Sequence, residues 1–297
     1  MNEADLENYR KSGRIAAEAV RWSRALIKPG AQVLDTAREI EQKIQQLGGD
    51  LAFPVNIGIN DITAHYTPHH NDTTIIKCDD VVKVDLGAMV DGYISDTAYT
   101  IDLGGNYSDM LRVNNEALDN AIDIIKDGVK LSEIGKTVEE TIKSEGFKVI
   151  ENLTGHQIEQ FNLHAGLSIP NTEISHDARL EEGMVVAVEP FATCGAGRVI
   201  DSNFVEIYSV IRSGRVRSKD ARVLLKELEK RHGMPFASRW YLNGLSHVKM
   251  QAILRELLNS GILRSYPMLH EKGAGVVSQF EHTIIVEKDG CEVTTLL

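Results

Sequence analysis

Asp85 and Asp96 stand on either side of the dipeptide Asp91-Gly92, within the stretch VVKVDLGAMVDGYISDTAYT that runs from Val81 to Thr100. Two apolar runs joined by Asp-Gly predict a β-hairpin with a two-residue turn. Such a turn pairs Val90 with Tyr93 and Asp85 with Ala98. Lys83, Asp85, Gly87, Asp96, Ala98 and Thr100 then share one face, and Val82, Val84, Leu86, Thr97, Tyr99 and Ile101 the other. Asp85 and Asp96 become diagonal neighbours across the ribbon. Carboxylates aimed together repel unless a proton or a cation stands between them, and a metal ion is the simplest answer. The apolar face is suited to packing on helices.

Further residues offer the same chemistry. Glu189 closes the apolar strand GMVVAVEP, and Glu281 interrupts another in SQFEHTIIVEK. A glutamate is costly to bury in such a strand unless it is paired or metal-bound. His156 and His164 lie eight residues apart in NLTGHQIEQFNLHAGLSIP, an even spacing that puts both on one face of an extended chain. His65 lies in ITAHYTPHHND, twenty residues before Asp85, while the adjacent His69 and His70 read as surface residues. Two Asp, two Glu and one His form an oxygen-rich set with one imidazole, which suits a pair of divalent ions bridged by carboxylates. All-Cys and three-His zinc patterns are missing from the sequence.

The elements that must position these groups are also visible. Helical periodicity predicts helices over 3–28 and 33–47, stopped by Lys28-Pro29-Gly30 and by Gly48-Gly49. LAFPVNIGIN reads as a short strand leading into a loop. Two amphipathic helices are expected over 108–127 and 132–145, and two more over 218–232 and 246–259. With 297 residues and 42% hydrophobic composition, the chain can bury a sizeable α/β core.

Composition narrows the function classes. A net charge of −11 argues against a chain-wide nucleic-acid surface, so no DNA partner is expected. The three cysteines, Cys78, Cys194 and Cys291, are scattered and odd in number, which suits a reducing cytosol. The N-terminal stretch MNEADLENYRKSGR is charged, without the apolar region of a signal peptide, and no run reaches the length of a membrane span. A cytoplasmic monomer is expected.

Taken in order, Asp85, Asp96, His156, Glu189 and Glu281 resemble the ligands of the methionine aminopeptidases, with the second Asp eleven residues after the first. VDLGAMVDGYISDTAYT, LTGHQIEQFNLHAG, VVAVEPFAT and SQFEHTIIV carry the pattern across nearly the whole chain. The resemblance implies an α+β pita-bread fold, a curved antiparallel sheet with helices on its outer face and two divalent metal ions at its centre. It implies that Asp96 and Glu281 bridge the ions, that Asp85 completes one and that His156 and Glu189 complete the other. His65 and His164 match the two active-site histidines of the family that are not ligands. The implied reaction is removal of the N-terminal methionine from nascent chains whose second residue is small, with a water held between the ions as nucleophile. Co, Mn, Fe or Zn would all suit such ligands. The type 2 pattern implies a methionine pocket built from Phe53, Leu163, Phe191, Tyr266 and Leu269.

The ninety or so residues between Glu189 and Glu281 are too many for a simple strand connection. They resemble the helical, winged-helix-like subdomain inserted in type 2 enzymes, and the lack of an N-terminal extension resembles the archaeal form. The expected organisation is a catalytic domain over 1–211 and 273–297 and an insert over 212–272. The insert holds thirteen Lys and Arg against five Asp and Glu, a net of +8 that leaves −19 on the rest of the chain. Such segregation would suit contact with ribosomal RNA near the exit tunnel. Two other readings share the fold: a proline-directed peptidase (prolidase or aminopeptidase P) and a non-catalytic RNA-binding relative. The first carries a separate preceding domain, and the catalytic motifs here begin too early for one. The second loses metal ligands, and all five are present here.

Overall fold

The hairpin forms in the register that its sequence predicts. In the computed structural model, which describes residues 2–175 and 178–296, strands Val81–Val90 and Tyr93–Asp102 pair antiparallel, with Val90 opposite Tyr93 and Asp85 opposite Ala98. Asp91 and Gly92 have φ of 51° and 87°, the left-handed pair that a type I′ turn requires. The apolar face is covered by helices α1 (Glu3–Ser23) and α2 (Val33–Gln46). Ala16, Ala19, Ala37, Ile40 and Ile44 of these helices join Val82, Val84, Leu86 and Tyr99 in one buried cluster.

Local signals start and stop these helices. Asn2 and Asp5 form a reciprocal capping box at the start of α1, which fixes its entry. α1 ends earlier than its periodicity predicts, because the chain tightens into a 3-10 turn at Arg24–Leu26 before Pro29. Helices α3 (Ser108–Ile124) and α4 (Leu131–Ser144) repeat the arrangement on the other half. Their residues Met110, Leu118, Ile134, Val138 and Ile142 pack on Val186 and Val188 of strand Val185–Val188 and on Ile284 and Val286 of strand His282–Val286.

The two halves meet edge to edge at one bridge. Ala98 donates to the Glu281 carbonyl at 3.4 Å, and Glu281 donates to the Ala98 carbonyl at 3.1 Å. Thr283 Oγ1 and the Asp96 backbone reinforce the seam with reciprocal bonds of 2.7 and 2.8 Å. Named strand pairs among the described residues are antiparallel, and the helices lie against the faces turned away from Asp85 and Asp96. The class is α+β.

Strands Val199–Val210 and Leu263–Glu271 pair with each other, and the chain between them makes a closed excursion. It contains α5 (Lys219–Leu228) and α6 (His247–Asn259), with its own buried cluster of Leu224, Leu228, Phe236, Met250, Leu254 and Leu257. Strand Leu263–Glu271 also pairs with Ile62–Ala64, so it runs beside the segment that carries His65. No helix among the described residues is long and apolar enough to cross a membrane.

Candidate active site

Four strand segments deliver the acidic side chains to one place. Gly87 lies opposite Asp96, which leaves Asp85 and Asp96 on the inner hairpin face as expected. The bridge at Ala98 sets Glu281 beside them. On the adjoining sheet His156 pairs with Ala187, two residues before Glu189, and Val188 pairs with His282, next to Glu281. His156 Nε2 thus lies 3.5 Å from Asp96 Oδ2 and 3.8 Å from Glu189 Oε1. One ligand atom each from Asp96, His156 and Glu281 falls within 4.8 Å of the others.

Burial makes this cluster electrostatically costly. Burial raises all four carboxyl pKa values, and mutual repulsion adds to it for Asp85, Glu189 and Glu281. Asp96 is pushed up to about 8 by burial. Burial drives the His156 imidazole the other way, down to about 4. Among the described residues no Lys or Arg forms an ion pair with any of the four acids. Asp85 Oδ1, Asp96 Oδ1 and His156 Nδ1 are buried with no hydrogen-bond partner. Unpartnered buried oxygens around one imidazole fit divalent cations.

A cavity of about 240 Å³ opens above this floor. Its walls include Phe53, His65, Leu163, His164, Phe191 and Tyr266. His164 lies against His156, with ring centroids 4.5 Å apart. Its side chain is exposed to the cavity yet enclosed by the surrounding walls; desolvation first, then the nearby His156 and His65, hold its pKa below the ordinary histidine value. His65 has a φ of 61°, and its Nδ1 donates to the Pro267 carbonyl at 3.3 Å. Nε2 is then the end of the neutral ring with a free lone pair. Tyr266 packs edge-on to His65 at 5.7 Å, and its hydroxyl meets Ser209 Oγ at 3.2 Å.

Leu269 does not line the cavity. Tyr266 and Leu269 are three residues apart on one strand, so alternation turns them to opposite faces. Leu269 packs instead behind Phe191, with Ile150, Val199 and Val277. Sequence reasoning passes over Asn56, Ile207 and Pro235, which also line the cavity. It also passes over Gln279, whose amide nitrogen lies 3.3 Å from Asp85 Oδ2, 3.5 Å from Glu189 Oε2 and 3.4 Å from Glu281 Oε2. The i, i+2 spacing of Gln279 and Glu281 is a usable signal, because alternation puts both on one face.

The buried acid cluster suits a metal centre, and the chain belongs to metallopeptidase family M24, whose model matches residues 7–288. Membership implies divalent metal binding. Within the family the chain is similar to proteins named methionine aminopeptidase. It is 46% identical to that of Thermococcus onnurineus over 287 residues, covering 96% of this chain and 97% of the relative. It is 44% identical to that of Pyrococcus horikoshii, covering 98% and 99%. The pita-bread fold is shared with the crystal structure of methionine aminopeptidase from Thermotoga maritima, at a TM-score of 0.75 and 23% identity, covering 100% of this chain and 98% of that one.

Proposed function

We propose that the protein is a metal-dependent methionyl aminopeptidase that removes the N-terminal methionine from polypeptides whose second residue is small. The convergence of Asp85, Asp96, His156, Glu189 and Glu281 beneath a cavity walled in part by Phe53, Leu163 and Phe191 carries this reading. These five residues would hold two divalent ions; Co, Mn, Fe or Zn suits the donor set. Bound there, the ions would polarise the scissile carbonyl and activate a water as nucleophile.

The chain's own residues supply position and selection. Phe53, Phe191 and Leu163 give the flexible thioether an apolar surface with aromatic contacts. The free α-amine would have to reach the metal site at the floor, so a formylated terminus would lose its main anchor. His164, kept neutral beside His156, can donate to the developing oxyanion; His65, with Nε2 free, can receive a hydrogen bond near the amine or the leaving group. Both histidines crowd the space for the second residue, which restricts it to small side chains.

The excursion between Val210 and Leu263 supports an inserted helical subdomain, set at 212–272, on a catalytic domain of 1–211 and 273–297. Its returning strand lends Tyr266 to the cavity. Exposed Arg215, Arg217, Lys219 and Arg222 support a salt-sensitive contact with ribosomal RNA. A monomer in the cytoplasm fits this role. The test is activity on Met-Ala-Ser. Chelation should abolish it and Co²⁺ or Mn²⁺ restore it, with Met-Lys and formyl-Met peptides left uncut. Unchanged turnover after exhaustive chelation would remove the proposal.

A further inference from the structure

Gln279 is almost wholly buried, at 1% exposure, in the strand that leads to Glu281. Its backbone is fixed independently of its side chain. Gln279 N–H donates to Thr100 Oγ1 at 2.9 Å, and that hydroxyl donates back to the Gln279 carbonyl at 2.6 Å. The side-chain amide nitrogen reaches one oxygen each of Asp85, Glu189 and Glu281, at 3.3–3.5 Å. An amide carries two N–H donors, so three carboxylates share two hydrogens. The bonds are long because the nitrogen sits between acceptors without closing on any one.

The oxygens left over are informative. Asp85 uses Oδ2 towards Gln279, and its Oδ1 is buried without a partner. Glu189 uses Oε2, and its Oε1 is the oxygen turned to His156 Nε2. One donor therefore sorts these carboxylates into a held oxygen and a free one. A neutral amide suits this role. A lysine would cancel the charge that attracts cations, and an apolar residue would leave the carboxylates free to swing apart.

We propose that Gln279 is a positioning residue of the metal centre, which orients Asp85, Glu189 and Glu281 so that one oxygen of each faces the ions. This rests on the reading of those acids as ligands. Orienting partners of this kind are worth about 10–100-fold in metal affinity. The test is calorimetric titration of metal-free protein with Mn²⁺, alongside thermal unfolding of the same metal-free samples. Gln279→Met keeps the length and removes the donor; Gln279→Asn keeps the donor but draws it back by one methylene. Both should fold with near-normal metal-free melting temperatures and bind Mn²⁺ about 10–100-fold more weakly. Wild-type affinity in either folded variant would overturn the proposal, even if activity fell. Glu281→Ala is the control. If it binds Mn²⁺ as tightly as the wild type, the ligand assignment itself has failed; if it loses binding while Gln279→Met does not, only the role of Gln279 has failed.

Discussion

Glu271 and Glu281 are both glutamates with almost no exposed surface, at 0% and 1%, and the fold treats them in opposite ways. Glu271 Oε1 accepts backbone N–H bonds from Ala196 at 2.5 Å and Gly197 at 2.9 Å, and Oε2 from Gly273 at 2.6 Å and Gly275 at 3.0 Å. Burial works to raise its pKa, but those four donors outweigh it, and the group stays below the ordinary carboxylate range. Gly195 makes room for this, since a Cβ there would lie 2.4 Å from Glu271 Oε2. A third buried acid, Glu41, receives the Arg239 guanidinium, the Trp240 indole and the Val55 N–H. Glu281 has one long bond from Gln279 and three acids for neighbours, and its pKa is driven up. The chain can satisfy a buried carboxylate with backbone donors or a fixed cation. At the cavity floor it does neither, and that deficit marks where cations from outside belong.

Substitution should separate the two glutamates most visibly. Glu281→Ala should cost about a thousandfold or more in kcat/KM, the several kcal/mol that metal stabilisation supplies. The same change should leave the metal-free protein no less stable, because it removes repulsion. Glu271→Ala should do the reverse. Unfolding titrations should show a loss on the order of 3 kcal/mol, with or without metal, from stranded backbone donors. A metal-dependent stability loss at Glu271, or a large metal-free loss at Glu281, would dissolve the contrast.

Stability should also respond to pH. A carboxyl whose pKa is raised by folding binds protons in the folded state that it has already lost in the unfolded one. Below the ordinary histidine value of 6.5 the buried, neutral His156 and His164 add an opposite slope, so metal-free protein should lose stability as pH rises from 6.5 to about 8 for Asp96. The slope is about 1.4 kcal/mol per pH unit for each proton by which the two states differ. Divalent metal should flatten it. A melting temperature that climbs with pH across this window in metal-free protein would contradict the assignment. The smallest effect belongs to the walls. Norleucine in place of the substrate's methionine should keep kcat/KM within about tenfold, since a change of this size in an apolar pocket is worth little. Leu-Ala-Ser cleaved as fast as Met-Ala-Ser would show that Phe53, Leu163 and Phe191 do not shape the pocket.

Much of this is legible in the sequence. Asp91-Gly92 specifies the hairpin register, and that register puts Asp85 and Asp96 on one face. The acids stand out because strands seldom tolerate them. Gln279 stands out only by its i, i+2 spacing from Glu281, because a neutral glutamine in SQFEH carries no charge to explain. Its role depends on Asp85 and Glu189, far away in the chain. The contrast between Glu271 and Glu281 is equally hidden, because the donors to Glu271 come partly from Ala196 and Gly197. Leu269 reads as a wall residue beside Tyr266, yet three-residue spacing on a strand turns it to the opposite face.

Metal ions should replace protons at the cavity floor. Calorimetric titration of metal-free wild-type protein with Mn²⁺ at pH 7, repeated in two buffers of different ionisation enthalpy, measures both ions bound and protons released. Two ions per chain and a net release of protons are expected, because burial pushes Asp96 up to about 8 and its neighbours are raised with it. Binding with no proton release, or no binding at all, would contradict this exchange.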